Sequence, residues 1–234
     1  MKSRAFAFGG LGLCFIGFVY AQQARELPED HRPPLFFREE WKRMAADGEH
    51  SVVQADLVNQ GLELKLYGDK PGVLEVQHAL PKTDPAYIWT GLCTLNCALA
   101  LRDRNNYVDL TGLAKIHWRT KETGFHLLRP IIKLPNGTWL VGDHTDGYTI
   151  DWQESEITLA DLHWRTLDAN KVVEAPSPGG KWADPPDLSR VDEVGFTDLA
   201  IGSGHGTGGS SRIAWIEVYG RPVPREPGSV AGSK

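Results

Sequence analysis

The side chains best equipped for chemistry fall in three short stretches. In RIAWIEVYG the alternation sets Ala214, Ile216 and Val218 on an apolar side and Ile213, Trp215, Glu217 and Tyr219 on the other. An indole beside a carboxylate offers a flat apolar surface together with a directed acceptor. In LAKIHWRT, Ala114, Ile116 and Trp118 point one way and Lys115, His117 and Arg119 the other, a basic stripe suited to a carboxylate ligand. Arg129 is a further donor that could join the same wall. Between these lies GSGHGTGGSS, residues 202–211, where five glycines surround His205, whose near-neutral pKa equips it to give or take a proton.

Three other groupings have chemical potential. Glu154 and Glu156 share one strand face with Trp152, an acid pair about 6.5 Å apart along a strand. GDHTDGYTIDW offers Asp143, Asp146 and Asp151, hard oxygen donors of the kind a structural Ca2+ takes, although Asp146-Gly147 also reads as a hairpin turn. Cys93 and Cys97 stand in a C-x3-C spacing that forms a disulfide in an oxidising compartment or packs as two small apolar residues. No nucleophile elbow, H-E-x-x-H or Walker sequence occurs.

The elements that must position these groups are mostly strands. From Ser51 onward the hydrophobic period is two, in runs such as LELKLYG, NCALALRD, TWLVGD and VDEVGFTDLAI, separated by turn signals such as Pro135-Asn136-Gly137. One helix is predicted over LFFREEWKRMAADG, where Phe37, Trp41, Met44 and Ala45 share a face and Asp47-Gly48 supplies a stop. About ten short strands with one helix imply a two-sheet antiparallel sandwich. Gly204, Gly206 and Gly209 match G-x-G-x-x-G, but a strand follows them where a dinucleotide site needs a helix, so the segment reads as a loop with His205 at its tip.

The chain opens MKSRAFAFGGLGLCFIGFVYAQQ, with Lys2 and Arg4 before an apolar stretch and small residues at Val19 and Ala21. This is the pattern of a cleaved export signal, too short to span a bilayer, and it predicts a secreted or periplasmic protein with no integral membrane span once residues 1–21 are removed. Without Lys2 and Arg4 the 25 basic residues become 23 against 30 acidic ones, a balance that disfavours nucleic acid as a partner. Residues 22–34 and 221–234, polar and proline-containing, read as a tether and a disordered tail around one domain at 35–220.

Three stretches resemble galactose-binding-like carbohydrate-binding modules: YVDLTGLAKIHWRT (107–120), IDWQESEITLADLHW (150–164) and VDEVGFTDLAIGSGHGTGGSSRIAWIEVYG (191–220). The resemblance covers residues 86 to 220 and implies an all-β, two-sheet jelly-roll sandwich that binds a saccharide or polysaccharide. A more distant similarity is to secreted 3-keto-disaccharide hydrolases, although their opening signature is only echoed at Leu35-Phe36-Phe37-Arg38. A pyranose needs a flat aromatic for its C–H face and polar groups for its hydroxyls. The eight tryptophans supply the first, and the expected ligand site is Trp215, Glu217, His117, Arg119 and His205. The alternatives are a sugar-active hydrolase or lyase using His205, Glu154, Glu156 or Glu217, and an envelope domain without a ligand.

Overall fold

The computed structural model describes residues 31–42, 50–68, 74–77, 85–90, 97–168, 181–183, 185–199 and 209–225. Two antiparallel sheets carry the fold, a jelly-roll sandwich. The first is built from β11 (Gln153–Thr158), β8 (Lys115–Glu122), β14 (Ser211–Tyr219), β5 (Tyr87–Thr90), β4 (Leu74–Gln77) and β2 (His50–Ser51), in that order, with β1 (Leu35–Glu40) also paired to β14. The second runs β12 (Trp164–Thr166), β10 (Trp139–Gly142), β9 (Leu128–Lys133), β13 (Glu193–Asp198), β6 (Cys97–Asp103) and β3 (Leu62–Gly68). A small ribbon pairs β15 (Arg221–Pro224) with β7 (Asn106–Asp109).

The core follows from the period of two. In β8, Ile116 and Trp118 turn inward with Thr120 and Glu122, while Lys115, His117, Arg119 and Lys121 turn outward. Ile116, Trp118, Ile216 and Val218 meet Leu99, Leu101, Ile132, Val194 and Phe196 of the opposing sheet in one buried cluster. The β9–β10 hairpin closes at the predicted Pro135-Asn136-Gly137 turn, where Gly137 takes φ 87°, a conformation that favours glycine. A second, smaller cluster of Ala98, Ile131, Val141, Leu167 and Leu199 lies on the outer side of the six-stranded sheet.

Three local expectations are corrected. Leu35–Glu40 is a strand, not the start of a helix, because Phe37, Glu39 and Trp41 turn inward at a period of two in register with β14. A spacing of four residues fits both periods, and the buried carboxylate of Glu39 hid the alternation. Glu39 accepts the backbone N–H groups of Val58 (2.7 Å) and Asn59 (2.9 Å), which makes an acid tolerable there. Residues 43–48 of that expected helix lie outside the described residues. Next, Arg221–Pro224, assigned from the sequence to the tail, is strand β15, so ordered structure extends through Arg225.

The third correction concerns β14. Its register against β8 shifts between Ile213 and Trp215, leaving Ala214 as a β-bulge. Ile213 therefore points into the core with Ile216 and Val218, although plain alternation put it on the side of Trp215. At the bulge β14 also changes its other neighbour: Arg212 and Ile213 pair with β5, and Trp215 to Tyr219 pair with β1. Trp41 fills the junction and donates its indole N–H to the carbonyl of Ile213 at 2.8 Å.

Candidate functional site

The outward face of the seven-stranded sheet gathers three of the predicted residues into one network. Opposite each other on β14 and β8 stand Glu217 and His117, with Trp215 across from Arg119. The Glu217 carboxylate accepts from Tyr219 Oη at 2.9 Å, from a guanidinium nitrogen of Arg38 and, at 3.3 Å, meets His117 Nδ1. Burial works to raise its pKa, but the hydrogen bonds from Tyr219, Arg38 and His117 prevail and hold it below the ordinary carboxylate range. This acid is therefore charged and fully engaged.

Trp215 faces outward, yet it is no open platform. Its relative exposure is 9%. The Arg38 guanidinium covers the ring at 4.7 Å and the His117 imidazole meets it edge-on at 4.8 Å. The expectation that this indole stands open to solvent is thus corrected, because the β1–β14 pairing lays Arg38 over it, a contact that alternation within β14 does not reveal. Beside it a cleft of about 540 Å³ is bounded by Glu40, Lys42, Val58, Ala86 and Ala214.

One step along the same face the arrangement changes character. Arg212 pairs with Trp89 on one side and with Lys121 on the other, so these three share the outward face. Trp152 packs against Tyr87 with ring centroids 5.5 Å apart, Arg119 lies 5.8 Å from the Trp152 ring, and Arg212 lies 5.9 Å from that of Tyr87. Trp89 Nε1, Trp152 Nε1 and Arg212 Nε are buried and have no acceptor among the described residues. Trp89 and Trp152 are half-buried and offer flat apolar surface at this face, whereas Tyr87, 9% exposed, packs against Trp152, and the three N–H groups are themselves shielded from solvent. Of these, Arg119 was predicted. The alternation in Tyr87-Ile88-Trp89 was a usable signal, but pairing with Arg212 depends on the bulge.

Of the remaining predicted residues, Glu154 and Glu156 lie on this same face, opposite Arg119 and His117 across the β11–β8 pairing, and the others are apart from it or outside the described residues. His205 and Cys93 belong to the latter, and the Cys93–Cys97 pairing with them. Asp143, Asp146 and Asp151 do not converge: Asp143 accepts from His163, Asp151 from the backbone N–H of Trp152, and Asp146 from Trp118 Nε1 at 2.6 Å and from Ser155, with His144 Nε2 at 2.9 Å. Among the described residues no three His, Cys, Asp or Glu side chains are grouped to hold a metal. Glu154 and Glu156 are exposed on β11, with Glu156 ion-paired to Lys115 at 2.6 Å. Arg129 does not join the basic stripe, because β9 belongs to the other sheet.

Fold and site together define a jelly-roll sandwich with an aromatic, donor-rich outer sheet face. No protein-family model matches the sequence, and a search of curated proteins finds no match. Among solved structures, the family 11 carbohydrate-binding module of a cellulosomal cellulase of Clostridium thermocellum aligns at 14% identity over 78% of this chain and 88% of its own, with a TM-score of 0.39. The same organism's family 11 module in complex with a β-1,3-1,4-mixed-linked tetrasaccharide aligns at 14% identity over 78% and 95%, TM-score 0.38. An exo-β-agarase aligns at 12% identity over 76% of this chain and a TM-score of 0.32, and the match covers 25% of that enzyme's chain. No helix among the described residues is long and apolar enough to cross a membrane.

Proposed function

We propose that this chain is an exported carbohydrate-binding protein whose saccharide lies across Trp89 and Trp152, with Arg119, Lys121 and Arg212 bonding its hydroxyls. The observation that carries the reading is the grouping of two half-buried indoles, Trp89 and Trp152, with the cations Arg119, Lys121 and Arg212 on one outward sheet face. An indole face stacks on the C–H face of a pyranose, and the cationic side chains beside it donate to the sugar hydroxyls. The Trp215–Glu217–His117–Arg38 network, already satisfied, forms the rim of this surface and fixes β14 against β8 and β1. Export rests on the leader at residues 1–21 and is tested by N-terminal sequencing of the secreted protein, with Gln22 as the expected first residue.

Binding is tested by a glycan array on the chain beginning at Gln22, followed by calorimetry with the best ligand. Stacking one indole face removes about 100 Å² of apolar surface from water, worth about 2.5 kcal/mol at about 25 cal/mol/Å². Trp152→Ala should therefore weaken binding by about 50-fold, whereas Trp215→Ala should act mainly on stability. Equal affinity in Trp152→Ala and Trp89→Ala would remove the site from this face.

A further inference from the structure

The six-stranded sheet has its own outward face, and one residue there is out of balance. Of the outward residues of β9, Ile131 is covered by the smaller apolar cluster and Lys133 is ion-paired to Glu193 at 3.0 Å. Arg129 is only 6% exposed, yet none of the described contacts gives it a hydrogen bond or an ion pair, and its Nε–H is buried without an acceptor. A buried guanidinium left in that condition is costly, which is why buried arginines are nearly always matched to an anion. Burial lowers its pKa, reinforced by Arg165 and opposed by the charges of Asp143 and Asp198, neither of which bonds to it. Asp143 lies close enough to be felt, but its oxygens are occupied by His163, whose backbone N–H and Nδ1 both reach it at 3.0 Å.

Arg129 lines a pocket of about 290 Å³ together with Arg165, Val141, His163, Trp182 and the His163-bonded Asp143. Trp182 is the unusual wall: its indole is 55% exposed, with the Arg165 guanidinium 3.8 Å from its ring and His163 edge-on at 6.2 Å. The volume is at the lower end of those that hold small molecules and suits a single six-membered ring. A planar fork of donors at the base selects a carboxylate over a hydroxyl, and an open indole at the mouth selects a flat C–H face.

We propose that this pocket is a second ligand site, separate from the face of the other sheet, and that it takes a uronic acid, with the carboxylate at Arg129 and the sugar ring against Trp182. Arg165 is held over the indole and completes the positive wall. The acid's charge satisfies the buried guanidinium, and a neutral hexose of the same size leaves it unmatched, so selectivity arises at Arg129 and affinity at Trp182.

The test is titration calorimetry of the chain beginning at Gln22 with sodium D-glucuronate, D-galacturonate, D-glucose and sodium sulfate. Either uronate should bind at least tenfold more tightly than glucose and sulfate. Arg165→Gln and Trp182→Ala, both at the open side of the pocket, should each weaken uronate binding tenfold or more at unchanged melting temperature, and Arg129→Met should abolish it. Trp152→Ala, which strikes the opposite sheet, should leave uronate binding intact, so the two sites fail or stand separately. Uronate binding no tighter than that of glucose, sulfate binding equal to that of uronate, or full uronate affinity in Arg165→Gln and Trp182→Ala would each overturn the assignment.

Discussion

Replacing Glu122 by glutamine should make the protein more stable at neutral pH and flatten its pH profile. Glu122 ends β8 inside the sandwich, fully buried, with both carboxylate oxygens lacking a hydrogen-bond donor. The single hydroxyl proton of Ser211, its partner across β14, is committed to Asp198 at 2.9 Å. Burial pushes the Glu122 pKa well up; the contact with Ser211 and the charge of Arg212 oppose this, and Asp198 and Asp146 add to it. The native state therefore keeps a proton that the unfolded chain loses near pH 4.3. In the window above that value and below the raised native pKa, the folded state binds one proton more, so stability falls by about 1.4 kcal/mol for each pH unit. Below about pH 4 the group is neutral in both states and its contribution is fully present. Glutamine has nearly the same shape and no charge to suppress, and effects of Asp198, His126 and Asp146 largely cancel in the comparison. Urea unfolding of both proteins at half-unit steps from pH 4 to 8 should give a difference that is small at pH 4 and grows with pH at up to that slope. Parallel profiles would mean that Glu122 ionises normally in the folded state and that water or a cation reaches it.

Three further outcomes are expected. Asp146→Asn should cost about 2 to 4 kcal/mol at pH 7 in the same assay, because Asp146 joins β8 to β11 through Trp118, Ser155 and His144. Burial tends to raise its pKa but the bonds from His144 and Trp118 lower it overall, so this stabilisation is present above the ordinary aspartate value and fades as pH falls through the depressed one. Glu39→Gln should lower stability by about 1 to 3 kcal/mol, since an amide offers one acceptor oxygen where two backbone N–H groups are bonded. Gly195→Ala should reduce soluble yield and melting temperature sharply, because the added Cβ would sit 1.9 Å from the carbonyl oxygen of Leu99 on β6, a backbone atom that cannot move aside alone.

What could be read in the sequence was whatever a period of two determines. β8 is the clearest case: its outward Lys115, His117 and Arg119 and inward Ile116 and Trp118 stand as the alternation requires. The sandwich architecture followed from many such runs and their turns. The site was legible only in part, because a period says which face a side chain takes but not what lies over that face. Trp215 is outward as expected and is then covered by Arg38, a residue 177 positions away in the chain brought alongside by the β1–β14 pairing. Ile213 was misplaced because a bulge adds one residue without altering composition.

The same limit explains why Arg212 was not singled out and why Arg129 was assigned to the wrong sheet face. Arg212 precedes the bulge, and only the changed register sets it beside Trp89 and Lys121 with its Nε–H unspent. Arg129 sits in LRPIIK, a strand buried on both faces, where no alternation marks the charged residue as unusual. In each case the chemical signal is a donor without an acceptor, a property of packing between strands distant in sequence. A buried donor left unmatched costs stability in the free protein, and the remainder of each guanidinium is the part an incoming acceptor can reach. Glu217, despite its place beside an indole, has its acceptors filled by Arg38, His117 and Tyr219 and ties β14 to β1 and β8, which is why the proposed saccharide surface is placed on Trp89 and Trp152 instead.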